Sequence, residues 1–427
     1  MFVALFGAAG CGSGGRGASS STKVPVTGSV PAVARPALGL TEDNADLLWP
    51  PGEGEGGNGS ARAFQAARTE LTALHPSYLR LLVDWAALQP SREQPPDLRA
   101  RIDGCARGVR PCGAYGGIRA EFAAIAAQQR SATSGSGAFR IVLDVFGTPD
   151  WAARSPSGCE LAGSTPFARP LDADAIGDYR ALVRSLLEMA RAEGVALEWW
   201  SPWNEPNDPR FISPQRSSCR PRSPALSPAV YAQLVRAMAA ELQEAGGAHH
   251  LVLGELNDLE VGSPHTTSVA EFIAALPTDV LCLGTVYSIH AYARYGEDDG
   301  EQASIARPVE ALEAALDARG GCAREAKIWV TEAGAGGPHP GQPRAAEAAG
   351  VLEEEAGCRA LSDQLQGWDE DPRVTAVFQY SFRDDPDFPV GLVSADLAHL
   401  HRTYALWLDW SRSRRTGQGM PSPTLCA

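Results

Sequence analysis

Three short motifs carry the residue types best suited to chemistry. "WNEPN" (203–207) places Asn204 and Glu205 where an apolar run meets a proline turn. "WVTEAG" (329–334) presents Glu332 in the same way, and "SIHAY" (288–292) presents His290 and Tyr292. Two carboxyls meeting across one cleft are the equipment for breaking a glycosidic bond. One protonates the leaving oxygen and the other attacks the anomeric carbon. A solitary Glu at a strand end is just as well a solvated charge or a helix cap. The pair therefore matters only if the fold brings both to one place.

The surrounding pattern supplies such a frame. Short apolar runs, expected as strands, are 37–44, 77–85, 139–151, 196–206, 250–258, 283–292, 326–334 and 374–385. Amphipathic segments lie between them, as in 174–194, where Ile176, Tyr179, Leu182, Val183 and Leu186 recur at helical spacing. Eight strands each followed by a helix predict an α/β fold, a (β/α)8 TIM barrel, as a single catalytic domain. Links into the strands are mostly tight. Several leading out are long (86–118, 152–173, 206–226), as expected of a barrel whose cleft is built from βα loops. The runner-up, a doubly wound open sheet, explains neither the eight units nor that asymmetry. In a barrel, Glu205 after strand 4, His290 and Tyr292 after strand 6 and Glu332 after strand 7 share the C-terminal face.

These motifs resemble the clan A retaining glycoside hydrolases, families 39 and 5 in particular, over about 37–410. "WNEPN" resembles the acid/base motif and "WVTEAG" the nucleophile motif. "LRLLVDWAALQP" (79–90) resembles the family 5 strand-2 segment with Arg80, and "HAY" the strand-6 His-x-Tyr. "NEPN" and "GTPDWA" (147–152) are similar to family 39. The resemblance implies retaining hydrolysis of β-glycosides in a poly- or oligosaccharide. Glu205 would be acid/base, its pKa raised in part by an anionic Glu332, the nucleophile; Arg80 would support that nucleophile and Asn204 bind the sugar 2-hydroxyl. No metal or organic cofactor is implied. Two positions depart from family 5. Phe146 stands near the expected strand-3 histidine, and Tyr380 or Phe382 must serve where a strand-8 tryptophan would lie under the sugar.

Trp151 and Tyr380 join the candidate substrate-binding residues, and Trp49, Trp85 and Trp203 are further aromatics near strand ends. For any one tryptophan, packing beneath a long loop is the plainer role. His249 and His250 start a strand, at the wrong barrel end for the site. Asp258, Glu260 and His265 have ligand chemistry without HxH or HExxH spacing, so a solvated loop is expected. GCGSGG (10–15) and GEGEGG (52–57) both fit GxGxxG, but neither context suits a dinucleotide. Asn58-Gly59-Ser60 fits a glycosylation sequon.

A net charge of −14 over 427 residues argues against nucleic-acid partners and leaves a neutral carbohydrate open. Residues 1–33 are expected to be a signal or lipoprotein-like segment with a Gly/Ser tether. The barrel should occupy 34–415, and 416–427 a C-terminal tail. A lipid on Cys11 would be the one membrane contact. Without Cys11, eight cysteines remain and none forms a CxxC pair, which suits disulfides in an oxidising compartment. Cys105 and Cys112 would close a short loop. Export, to the outside or to the outer face of the cell membrane, is expected. A non-catalytic sugar-binding surface lipoprotein on the same scaffold is the alternative. A metal-dependent barrel hydrolase and a structural envelope protein are the other rivals.

Overall fold

The computed structural model describes residues 35–44, 47, 58–99, 108–112, 117–131, 139–220, 223–258, 263–293, 307–335, 347–417 and 423–427. The segment 1–33, Trp49, GEGEGG, Cys105 and Glu260 lie outside the described residues. All eight expected strands form. They are β1 (Ala37–Thr41), β2 (Tyr78–Asp84), β3 (Arg140–Phe146), β4 (Trp199–Ser201), β5 (His250–Leu256), β6 (Val286–His290), β7 (Lys327–Ala333) and β8 (Val374–Tyr380). They pair in parallel in sequence order, and β1 closes on β8. The principal helices alternate with them: α1 (Asn58–Ala73), α2 (Ile118–Ser131), α3 (Ile176–Glu193), α4 (Ser227–Ala245), α5 (Val269–Ala275), α6 (Pro308–Arg319), α7 (Glu347–Glu370) and α8 (Arg402–Thr416). The barrel expectation holds.

Alternation along each strand divides the apolar residues into two compartments. Outward residues such as Leu79, Leu81, Ile141, Leu143, Trp200, Leu251 and Leu253 pack under the helices. Tyr179, Leu182, Val183 and Leu186 of α3 are buried against them, the stripe expected from the sequence. Inward residues Tyr78, Val142, Val252, Val286, Trp329, Ala376 and Phe378, with Trp199, fill the barrel's lower end. Trp329 lies 4.9 Å from Tyr78 and 4.6 Å from Trp199, centroid to centroid. Gly39 makes room there, since a Cβ on it would come within 2.2 Å of the Phe378 ring. Removing one such aromatic typically costs about 3–5 kcal/mol. The lower end is thus a packed plug, and the polar layer above it opens only at the C-terminal face.

The strands are shorter than expected where they reach that face. β4 stops at Ser201, because Pro202 has no N–H to continue the ladder. β1 gives way at Glu42, whose Oε2 accepts from Phe382 N (2.8 Å) and Arg383 N (3.0 Å) and so knits the end of β1 to that of β8. Disulfides join Cys159 to Cys219, Cys282 to Cys322 and Cys358 to Cys426. The first ties the loop after β3 to the loop after β4. The last fastens the turn Pro423–Cys426 to α7. Among the described residues no helix is long and apolar enough to cross a membrane.

Candidate active site

Arg80 on β2 lies fully buried in the polar layer above the aromatic plug. Its Nη1 donates to Glu332 Oε1 at 2.7 Å. Its Nη2 donates to Asp144 Oδ2 at 2.8 Å and to Asn204 Oδ1 at 2.7 Å, and lies 3.1 Å from Glu255 Oε2. A buried guanidinium persists only with such partners. Although burial opposes its charge, the Glu255, Asp144 and Glu332 carboxylates hold its proton more firmly than water would. Four strands, β2, β3, β5 and β7, and the loop after β4 thereby share one cation.

Glu205 reaches this centre through an unusual backbone. Its φ is +36°, in the left-handed region that non-glycine residues seldom adopt. The turn is closed by Asp208 N donating to the Glu205 carbonyl at 2.9 Å. Asn207 then pins it to the end of β5, donating from Nδ2 to the Asn257 carbonyl (2.9 Å) and accepting from Asn257 N (2.8 Å). The second asparagine of "WNEPN" is thus structural. Trp203, between Pro202 and Asn204, turns into the outer core and donates to the Phe211 carbonyl.

His290 stands among three carboxylates. Its Nδ1 is 2.8 Å from Glu205 Oε1 and 3.4 Å from Glu332 Oε2, and its Nε2 is 3.0 Å from Glu255 Oε2. Burial opposes a charge on the ring. The three carboxylates outweigh it, led by Glu332, and push the pKa up to about 10. His290 is therefore an imidazolium at neutral pH, donating from both nitrogens. Burial likewise opposes the charge on Glu255, but Arg80, His290 and the Thr331 hydroxyl, 2.6 Å away, hold its carboxyl down at about 2. Burial works to raise Glu205 too. The His290 hydrogen bond and the charge of Arg210, whose Nη2 is 3.4 Å from Glu205 Oε2, prevail and leave it below its ordinary value. The raised pKa expected for Glu205 is thus corrected: two cationic neighbours override burial.

The other predicted residues divide into two groups. Tyr292 donates to Glu332 Oε2 at 2.5 Å. Tyr380, partly exposed, stands edge-on to Tyr292 at 6.3 Å and donates to Asp43 Oδ2 at 2.6 Å. Trp151 packs edge-on against buried Trp85 and donates to the Gln89 carbonyl, with no contact to the carboxylate cluster. Phe382 is buried against Tyr404 and offers no sugar platform. Phe146 stacks edge-on with Phe167 and Phe211, while the Arg80 contact on β3 falls to Asp144. His250 lies against Trp199 at the plugged end, and His249 contacts the Leu197 carbonyl.

Among the described residues three groups offer metal-ligand chemistry. Glu205, His290 and Glu332 each offer one ligand atom within 4.8 Å of the others, but an imidazolium has no lone pair to give. His265 lies against Cys159, whose sulfur is in a disulfide. In the set of Glu354, His399 and His401, His401 contacts Glu354 Oε1 at 2.9 Å and Asp384 Oδ2 at 2.8 Å.

Sequence reasoning missed Asp144, Glu255, Asp208, Arg210, Glu42 and Asp43. Asp144 had a signal, a charge inside "IVLDVF" at the inward register of Val142. Glu255 had the opposite register. Counting by twos from Val252 sends it outward, but a bulge between Leu253 and Leu256 turns it in. Gly254 permits this with φ +105°, where a Cβ would come within 2.6 Å of the Ser288 carbonyl oxygen.

No family model matches the chain, and no curated protein matches it. Solved structures do. A monomeric beta-xylosidase from Caulobacter crescentus CB15 is 13% identical, with a TM-score of 0.53 over 88% of this chain and 69% of that one. The endo-beta1,6-glucanase BT3312 is 13% identical, with a TM-score of 0.51 over 88% and 75%. A family 39 glycoside hydrolase from Bacteroides cellulosilyticus WH2 is 16% identical, with a TM-score of 0.46 over 89% of this chain and 64% of that one. At such identities the likeness of the first two is one of fold, and it agrees with the barrel seen here.

Proposed function

We propose that the chain is a retaining β-glycoside hydrolase acting on a poly- or oligosaccharide, with Glu332 as nucleophile and Glu205 as acid/base. One observation carries the reading: a carboxylate oxygen of Glu205 lies within 4.8 Å of one of Glu332. Double displacement uses carboxyls about 5–5.5 Å apart, whereas inversion needs roughly 6.5–9.5 Å to seat a water. Arg80 and Tyr292 aim the Glu332 carboxylate, holding one oxygen each. With Oδ1 committed to Arg80, Asn204 has its Nδ2 to give to the sugar 2-hydroxyl. The leaving group takes its proton from Glu205, which draws on the proton shared with His290 2.8 Å away. In the second step the same pair takes a proton from water as the glycosyl ester opens. The chemistry asks for no cofactor. The disulfides support an oxidising compartment, and hence export, with the N-terminal segment as leader and Cys11 as its point of lipidation.

Glu332→Ala tests this directly. Turnover of an aryl β-glycoside should vanish, and added azide should restore it with a glycosyl azide of inverted configuration. Ordinary retained product, or no loss of rate, removes Glu332 as nucleophile.

A further inference from the structure

The loop between β8 and α8 folds back on itself as a short antiparallel ladder. Leu400 bridges Val393, His401 N donates to the Leu392 carbonyl at 2.9 Å, and Ser394 N donates to the His399 carbonyl at 2.8 Å. In extended chain, residues two apart share a face, so His399 and His401 are presented together. Glu354 of α7 meets that face. Its Oε1 is 2.9 Å from His401 Nδ1 and 3.9 Å from His399 Nε2. The first distance is a hydrogen bond, and the second is too long for one. Ligand atoms bound to a tetrahedral zinc ion at about 2.0–2.1 Å stand about 3.3 Å from one another, a spacing that the two distances bracket. Each of the three residues offers one ligand atom within 4.8 Å of the others.

Asp384 supports this set from behind. His401 Nε2 is 2.8 Å from Asp384 Oδ2, and Asp384 Oδ1 accepts from Gly391 N at 2.8 Å. A metal-bound histidine characteristically gives its other N–H to a carboxylate, which fixes both tautomer and ring. A neutral imidazole has a single N–H. With that proton facing Asp384, the Nδ1 lone pair faces Glu354 Oε1, and two acceptors so close need a cation between them. A proton would do, as it does at His290, which faces carboxylates alone. Here a second imidazole stands beside the same oxygen, and only a metal ion draws on all three groups. His399 is exposed and Glu354 partly so, which gives an ion a path from solvent.

We propose that Glu354, His399 and His401 bind a divalent transition-metal ion of the zinc class, with Asp384 orienting His401 and solvent in the fourth position. Two imidazoles and a carboxylate suit that class. The ligands come from α7 and the loop leading to α8, whereas Glu205 follows β4, His290 ends β6 and Glu332 lies on β7. The ion therefore braces the β8–α8 loop against α7 and takes no part in the proposed hydrolysis.

The test uses the full chain, stripped of metal with a chelator and dialysed, with Zn2+ added alone. By calorimetry His399→Ala should bind one fewer zinc per chain than the wild type. His399 is exposed, so the metal-free Tm of the variant should match the wild type's. Zn2+ should raise the Tm of the wild type and leave that of His399→Ala in place, since an ion that binds only the folded chain stabilises it. Asp384→Asn should weaken the site about 10- to 100-fold without abolishing it. Co2+ in place of zinc should give the visible absorption of a four- or five-coordinate ion in the wild type and lose it in His399→Ala. Equal zinc uptake by wild type and His399→Ala places the ion elsewhere and overturns the proposal. So does a wild type that takes up no zinc, in which case a proton alone joins His401 to Glu354.

Discussion

Glu255 is the residue whose replacement is most informative, because its carboxylate meets both cations of the cluster, His290 and Arg80. Glu255→Gln keeps the shape and removes the charge. With charge centres about 4 Å apart and an effective dielectric near 20, the lost attraction to the imidazolium is about 4 kcal/mol. At 1.36 kcal/mol per unit that is about three pKa units, and the amide oxygen that still accepts from Nε2 returns part of it. His290 should fall from about 10 to about 7 or 8. The chain has eight histidines, few enough for 15N-histidine NMR to follow each through a pH titration. Stability must move with it. His290 has a raised folded pKa, so its contribution is fully present below its ordinary value near 6.5 and is lost as pH rises through about 10. The wild-type Tm should therefore decline between those values for this reason, whereas in Glu255→Gln the His290 part of the decline should end near pH 8. A His290 signal titrating at the same pH in both proteins, or near 6.5 in the wild type, refutes the electrostatic account.

Two further outcomes follow from the same geometry. Glu205→Ala should reduce kcat on natural glycosides by about 10²–10⁴-fold, the worth of a general acid, yet largely spare substrates with activated aryl leaving groups; equal losses on both classes remove Glu205 as the acid. Gly254→Ala puts a Cβ within 2.6 Å of the Ser288 carbonyl oxygen at φ +105°. It should cost about 3 kcal/mol or more and lower kcat as the bulge that aims Glu255 relaxes, and an unchanged Tm and rate would show that the bulge is not required.

The sequence carried the scaffold well because the scaffold depends on periodicity. Leu79, Leu81 and Ile141 face out and Tyr78 and Val142 face in, as a parity count gives. The nucleophile and acid/base candidates were legible because each stood at the end of a run. Parity fails at bulges, and two of the carboxylates in the cluster sit beside one. Glu255 follows Gly254, and Glu332 falls where the register between β7 and β8 shifts, between Val330 and Ala333. Glu332 was found by its motif, whereas Glu255 had none. The tryptophans illustrate a different limit. Trp151 and Trp203 look alike in sequence, and only the paths of the loops decide that Trp203 is buried in the outer core while Trp151, partly exposed, packs on Trp85. The acidity of Glu205 was illegible for the same reason, since Arg210 reaches it across a turn and His290 across the barrel.

That acidity bears on how the site would cycle. In the resting protein the proton of the Glu205–His290 pair resides on His290. Delivering that proton through Glu205 to the leaving oxygen takes one positive charge out of the cluster. Forming the ester on Glu332 takes out one negative charge in the same step, and Glu332 is the leading carboxylate that holds the proton on His290. On the proposed reading the net charge around Arg80 would therefore be the same in the free protein and in the glycosyl intermediate, and water's proton would restore both terms when the ester opens. In a layer closed from below by an aromatic plug, an uncompensated charge would cost several kcal/mol. The lowered pKa of Glu205 would then be no obstacle to its proposed role as acid. Its proton is stored one hydrogen bond away, on a group whose affinity for it weakens as Glu332 is consumed.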